Sequence, residues 1–285
     1  MQFRSLLFVP GDRSDRFPKA LASAADALIL DLEDSVAPSN KDAAREAVCT
    51  SLAAERTKPI LVRINPKTSG LLETDLKTVL QAGPDGIVLP KAEGATDIRD
   101  LVALMGGTPV PILPIATETP AAVFELGSYR HVSANLCGLT WGAEDLPAAM
   151  GASTSREEDG RYTPPFEWVR SSALFAAHAA GVPAIETVFP YIKDEVELSA
   201  YVSRAQRDGF TAMMAIHPAQ CATINNAFSP TAEEVQDARE IVDAFEKRPE
   251  TGVLQLGGRM IDAPHLQQAK KILHQAALLQ MRNET

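Results

Sequence analysis

Two stretches of the chain end in carboxylates that could work together. Val110-Pro-Ile-Leu-Pro-Ile-Ala-Thr-Glu118 is apolar almost to its last residue. Asn135-Leu-Cys-Gly-Leu-Thr-Trp-Gly142 leads into Glu144 and Asp145. Two strands that each deliver an acid at the C-terminal end can hold a hard divalent cation. Mg²⁺ suits such a pair, because it takes one or two carboxylates and leaves positions for water and substrate oxygens. Taken singly, each acid reads as a solvated loop residue or a helix cap; the pair is what points to a metal.

Other groups fall at comparable places. Asp12, Glu33, Asp34, Arg63, Lys91, Glu118, Glu144, Asp145 and His217 each lie at or just beyond the end of a short apolar run. The runs are 5–10, 27–32, 59–64, 86–90, 111–117, 135–141, 184–189 and 211–216. Most are near-continuous rather than alternating, as expected of parallel strands buried on both faces. Helical stretches are expected at 13–25, 40–54, 71–81, 95–105, 168–180 and 195–208. Thr119-Pro120 reads as a helix N-cap followed by proline at the first helical position. Eight such units in roughly 220 residues describe an α/β chain folded as a (β/α)₈ TIM barrel. A doubly wound open sheet is the rival, but no GxGxxG follows the first run. In a barrel the C-terminal strand ends form the face where active sites are built, and the charged residues cluster there.

Residues 1–228 make up the expected barrel and 229–285 a C-terminal helical extension or lid. In the extension, Ser229-Pro230 opens a helix to about residue 247, residues 248–258 are turn-rich, and 266–279 form a last helix. The polar stretch 151–165 is long enough to be an active-site loop.

The net charge of −10 argues against nucleic acid or an anionic membrane as the main partner. An anionic small molecule needs only a local basic cluster. The three cysteines are far apart and form no CxxC, as in a reducing compartment. There is no signal-peptide cleavage pattern and no membrane-length apolar stretch, so a cytoplasmic location is expected.

Leu7-Phe8-Val9-Pro10-Gly11, Asp31-Leu32-Glu33-Asp34-Ser35-Val36, Arg63-Ile64-Asn65, Leu89-Pro90-Lys91, Glu118-Thr119-Pro120, Gly142-Ala143-Glu144-Asp145-Leu146, Ile216-His217-Pro218 and Met260-Ile261-Asp262 occur in that order. The ordered set resembles the citrate lyase β-subunit-like proteins of the aldolase/citrate lyase superfamily, which include malyl-CoA and citramalyl-CoA lyases. The resemblance implies a Mg²⁺-dependent barrel, usually a homotrimer, that cleaves or forms a carbon–carbon bond beside a thioester. By motif match Glu118 and Asp145 are the metal ligands and Arg63 the cation facing the thioester. Glu144 is a further candidate substrate contact. Phe8, Arg13 and Lys19 fall where relatives contact CoA. Asp262 matches an acid that a C-terminal lid places in a neighbouring subunit's active site. Glu33 and Asp34 are expected to orient Arg63 or a metal-bound water. Two departures stand out: Glu186 where relatives commonly have Asp, and Met213 in a segment where many have Gly-Lys before Ile-His-Pro.

The chemistry implied is a retro-Claisen cleavage of a β-hydroxyacyl-CoA to acetyl-CoA and an α-keto acid. It needs a Lewis acid on the hydroxy acid, a cation for the enolate oxygen and an acid for the enolate carbon, for which Asp262 is the candidate. Asp262 reads equally well as the N-cap of the last helix. Lys91 could form a Schiff base in principle, but a nearby metal makes that redundant. Alternative readings are a citryl-thioester lyase subunit working with an acyl carrier protein, a CoA-free metal aldolase on keto acids, and a non-catalytic subunit on a barrel scaffold.

Overall fold

The computed structural model describes residues 3–283. The chain folds as two compact units that divide between Asn225 and Asn226.

The first unit is a parallel barrel. Its strands are β1 (Ser5–Pro10), β2 (Ala27–Asp31), β3 (Ile60–Arg63), β4 (Gly86–Leu89), β5 (Ile112–Pro114), β6 (Leu139–Thr140), β7 (Ala184–Glu186) and β8 (Ala212–Ala215). They pair in the order β5-β4-β3-β2-β1-β8-β7-β6, every pairing parallel. The two end strands meet through parallel bridges Ile112–Leu136 and Ile115–Thr140. Cys137 N donates to Ile112 O at 3.0 Å and Ala116 N to Thr140 O at 2.9 Å, which closes the ring. Closure leaves no free strand edge.

Both faces of each strand are buried, which explains the unbroken apolar runs. Leu6, Ile29, Leu61, Val88, Leu113 and Ile185 meet in one cluster, while Leu28, Ile60 and Ile87 are equally buried on alternate positions. Leu-to-Ala at such a site costs about 2–5 kcal/mol.

The helices of this unit are α1 (Phe17–Leu21), α2 (Lys41–Ala53), α3 (Leu72–Gln81), α4 (Ala95–Leu104), α5 (Pro120–Glu125), α6 (Asp145–Met150), α7 (Pro164–Ala180) and α8 (Glu195–Asp208). α9 (Gln220–Ala227) runs across the boundary between the units. Most agree with the sequence pattern to within a residue or two. The segment expected to be helical over 13–25 is instead a 3₁₀ turn, Ser14–Arg16, followed by the short α1. Pro18 sits in the first turn of α1, where its missing N–H costs nothing. The same preference moves the start of α7 back from 168 to Pro164, because Pro164 and Pro165 open the helix. The sixth run is trimmed to two paired residues, with a 3₁₀ turn at Ser133–Asn135 taking up its start.

The second unit holds α10 (Ala232–Glu246), a hairpin of β9 (Val253–Leu256) and β10 (Arg259–Asp262), and α11 (Ala263–Asn283). α10 starts behind a capping box, Thr231 with Glu234, rather than at Pro230. The hairpin replaces what the sequence suggested was only a turn-rich stretch. Gly257 and Gly258, at φ +54° and +78°, supply the left-handed two-residue loop a tight hairpin requires. Phe245, Leu254 and Ile261 form this unit's own core. No helix among the described residues is long and apolar enough to cross a membrane.

Candidate active site

Arg63, the last residue of β3, meets three carboxylates and an aromatic ring at the C-terminal strand ends. Its Nε and Nη2 donate to Asp31 Oδ1 and Oδ2 at 2.6 and 2.7 Å, a bidentate fork. Nη1 lies 2.9 Å from Glu33 Oε2, an ion-pair contact without hydrogen-bond alignment, and 3.6 Å from Asp34 Oδ2. The guanidinium carbon stands 4.9 Å from the Phe8 ring centroid, within cation–π range. The parallel register sets this up, because Asp31 is the strand partner of Arg63 and of Pro10. Burial pushes the Asp31 carboxyl up, but the Arg63 fork outweighs it and holds the group below the usual carboxylate range. Burial also lowers Arg63, yet its carboxylate partners prevail and keep it charged.

Behind this fork Lys41 Nζ donates to the Leu32 and Glu33 carbonyls at 2.7 and 2.8 Å, and to Asn65 Oδ1 at 2.8 Å. Asn65 donates through N and Nδ2 to Asp75, which in turn accepts from Arg45 Nε at 2.9 Å. The β2 and β3 ends are therefore fixed from outside the barrel.

The second cluster belongs to β4, β5 and β6. Glu118 is buried, and the one hydrogen bond its carboxylate accepts among the described residues comes from Lys91 N, 2.6 Å from Oε2. Burial raises its pKa to about 8, helped by the negative charge of Glu33 and Asp145 and opposed by Lys91. Lys91 Nζ donates to Glu33 Oε1 and Asp145 Oδ2, both at 2.7 Å. Burial pushes the Glu33 carboxyl up despite Arg63 and Lys91. Thr117 Oγ1 exchanges bonds with Gly142 N at 3.0 Å and Gly142 O at 3.3 Å. A Cβ on Gly142 would stand 2.6 Å from Glu118 Cγ. Only glycine lets the β6 end approach Glu118 this closely, and the charge of Asp145, three residues on, is felt at Glu118.

A cavity of about 770 Å³ opens over both clusters. Of the residues singled out in the sequence, Phe8, Arg13, Lys19, Asp34, Arg63, Glu118, Glu144 and Asp145 all line it. Glu33 stands behind, bridging the two clusters through Arg63 and Lys91. Arg13 and Lys19 share one wall with Arg16, and Arg13 is paired with Asp15 at 2.9 Å. His217 also faces the cavity, with Nδ1 accepting from Ala219 N at 3.2 Å. Asp262 ends β10 in the second unit, immediately before α11. Its Oδ1 is 2.6 Å from His265 Nδ1.

Sequence reasoning passes over Asp31, the main partner of Arg63. The signal is an acid inside the apolar run Ala27-Leu-Ile-Leu-Asp31: a carboxylate in a buried strand must have a partner. For Lys91 the sequence suggests only an imine-forming amine. A doubly ion-paired ammonium whose pKa is pushed upward, once its acidic partners overcome burial, is a poor nucleophile. The two departures lie in the wall. Met213 is buried within β8. Glu186 accepts from Trp141 Nε1 at 2.5 Å, Arg170 Nε at 2.7 Å and Thr187 N at 2.8 Å.

The donor chemistry fits a hard divalent cation. Among the described residues no group of three or more His, Cys, Asp or Glu converges as a metal cage, which is unfavourable for Zn²⁺. Mg²⁺ asks less: one or two carboxylates, the remainder water and substrate. Glu118 is a buried carboxylate with a single hydrogen bond, and its raised pKa is the cost that a bound dication would reverse.

A family model described as HpcH/HpaI aldolase/citrate lyase matches residues 4–218, and one described as a carbon–carbon bond lyase of the TIM-barrel fold matches residues 168–280. The citrate lyase subunit beta-like protein of Mycobacterium tuberculosis is 37% identical over 278 residues, covering 95% of this chain and 94% of its own. The mitochondrial citramalyl-CoA lyase of Mus musculus is 33% identical, covering 95% of this chain and 85% of its own. A crystal structure of the M. tuberculosis protein CitE with magnesium, acetoacetate and coenzyme A superposes with a TM-score of 0.82 at 34% identity, covering 96% and 97% of the two chains. With a family model spanning most of the barrel and relatives aligned over nearly the whole chain, the protein belongs to the HpcH/HpaI aldolase/citrate lyase family of carbon–carbon lyases.

Proposed function

We propose that this enzyme cleaves a β-hydroxyacyl-CoA thioester, malyl-CoA, citramalyl-CoA or a near relative, to acetyl-CoA and an α-keto acid. The observation that carries the reading is one shared cavity lined by Arg63, Glu118 and Asp145, with Arg13, Arg16 and Lys19 also lining it. Its volume of about 770 Å³ suits a small-molecule site. The names of the relatives and the ligands of the M. tuberculosis structure point the same way.

Glu118 and Asp145 would hold the magnesium ion. When bound, it supplies Lewis-acid polarisation of the hydroxyl that becomes the ketone. Arg63 presents its remaining N–H donors to the thioester oxygen; Asp31 occupies two of the five. As the carbon–carbon bond breaks, its electron pair moves into the thioester enolate and the substrate hydroxyl gives its proton to solvent, which balances the proton later delivered to the enolate carbon. Arg63 is pre-oriented for the negative oxygen that results, so little reorganisation is needed at that moment. Asp34 and Glu33 keep the guanidinium aimed at the cavity. Protonation of the enolate carbon is assigned to Asp262, and Glu144 to the substrate's polar end. The basic wall suits the phosphates of CoA.

The test is release of acetyl-CoA from a panel of malyl-, citramalyl- and citryl-CoA, with and without EDTA. Turnover of one ester, abolished by chelation and by Asp145→Ala, is expected. Lack of turnover on every ester would overturn the reading and direct attention to acyl-carrier-protein thioesters. Substrates differing by one methyl are separated by only about 1–3 kcal/mol, so the whole panel should be titrated.

A further inference from the structure

Lys91 is the one non-glycine among the described residues with a left-handed backbone, at φ +51°. Such a conformation is unfavourable for a residue with a Cβ and persists where the surroundings enforce it. Here it lets one residue reach three acids. The backbone N–H points to Glu118 Oε2 at 2.6 Å, while the side chain turns to place Nζ 2.7 Å from both Glu33 Oε1 and Asp145 Oδ2.

We propose that Lys91 is a positioning residue that also sets how tightly the site holds its divalent cation. This rests on the reading of Glu118 and Asp145 as metal ligands. The two contacts of Lys91 act differently. The N–H is a neutral donor that orients Glu118 through Oε2 and leaves Oε1 outside that bond. The ammonium is a cation on an oxygen of Asp145, so it competes by charge with any dication that uses that carboxylate. It also ties Asp145 to Glu33, whose other oxygen lies against Arg63. Lys91 therefore couples the acid pair to the thioester-side cation, holding the two halves of the site in register at the expense of metal affinity.

The coupling predicts opposite movements. Lys91→Gly accepts the left-handed backbone and keeps the N–H to Glu118 while removing the ammonium. Mn²⁺ affinity, followed by calorimetry and electron paramagnetic resonance in the absence of substrate, should rise at least about threefold. kcat should fall about 10–100-fold, as when other outer contacts of a metal site are removed. Lys91→Gln also removes the charge and gives a second reading should the glycine variant fold poorly. A purely structural lysine would weaken metal binding and turnover together. Unchanged or weaker Mn²⁺ binding in both variants, with the wild type still binding, overturns this inference alone. A wild type that binds no divalent cation overturns the metal reading and the inference with it.

Discussion

Arg63 is partly buried and Arg170 fully buried, and both are guanidiniums gripped by carboxylates and laid over an aromatic ring. Arg170, on α7, donates to Glu186 and Asp208 at 2.7 Å each and lies 4.7 Å from the Phe210 ring centroid. Arg63 donates to Asp31 and lies 4.9 Å from that of Phe8. The difference is what lies on the open side. Arg170 is sealed in the wall, where its partner Asp208 is also paired with Arg204 and Arg207, whereas Arg63 faces the cavity and sits among acids that outnumber its own charge. A buried ion pair matched to its partners and closed to ligand is architecture. The same pair with a cavity in front and surplus negative charge beside it is poised for a reaction. Chemistry alone does not separate them; access and charge balance do.

That contrast can be broken by experiment. The largest effect on turnover should come from Arg63→Gln. It keeps a polar side chain but removes the cation, and kcat/KM should fall on the order of 10²–10³. Next is Gly142→Ala, whose new Cβ would press on Glu118 Cγ at 2.6 Å. Divalent affinity measured by calorimetry should weaken about 10–100-fold, with the fold intact by circular dichroism. A pH dependence follows from Glu118. Its carboxyl is raised in the folded protein to about 8. Stability contributed by the protonated form is present below the ordinary carboxylate pKa and is lost as pH rises through about 8. A metal must displace that proton, so Mg²⁺ binding should tighten about tenfold per pH unit toward pH 8. Glu118→Gln should remove that slope. The smallest effect on turnover should come from Arg170→Met. It leaves Glu186 buried without its cation and should cost about 3–5 kcal/mol in urea unfolding. Activity per folded molecule should stay within a few-fold. If Arg170→Met cut turnover as deeply as Arg63→Gln, the separation between wall and site would be wrong.

The barrel was legible because eight near-continuous apolar runs alternated with helical stretches, a pattern that parallel strands buried on both faces impose. The clustering of charged residues at run ends marked the face where the cavity opens, and the ordered motifs named the family. Less legible were the devices that depend on contacts far apart in sequence. Asp31 looked like one more residue of an apolar run until its strand neighbour proved to be Arg63. The β9–β10 hairpin hid in a turn-rich stretch, because four-residue strands with only one buried face carry little periodic signal. The start of α7 was obscured by prolines that initiate a helix as readily as they interrupt one.

The sequence by itself determined which residues stand at the strand ends, since strand order and direction follow from local patterning and from right-handed parallel connections. It thereby settled that Arg63, Glu118 and Asp145 share a face. Only the tertiary structure decided which of them touch. Register put Asp31 against Arg63, the absence of a side chain at Gly142 let Glu118 come within reach of the β6 end, and a left-handed Lys91 joined the two clusters. The physical reason is range. Burial and periodicity act along a few residues of chain, whereas a hydrogen bond is made or lost within a few tenths of an ångström, a precision fixed only when the whole ring of strands has closed.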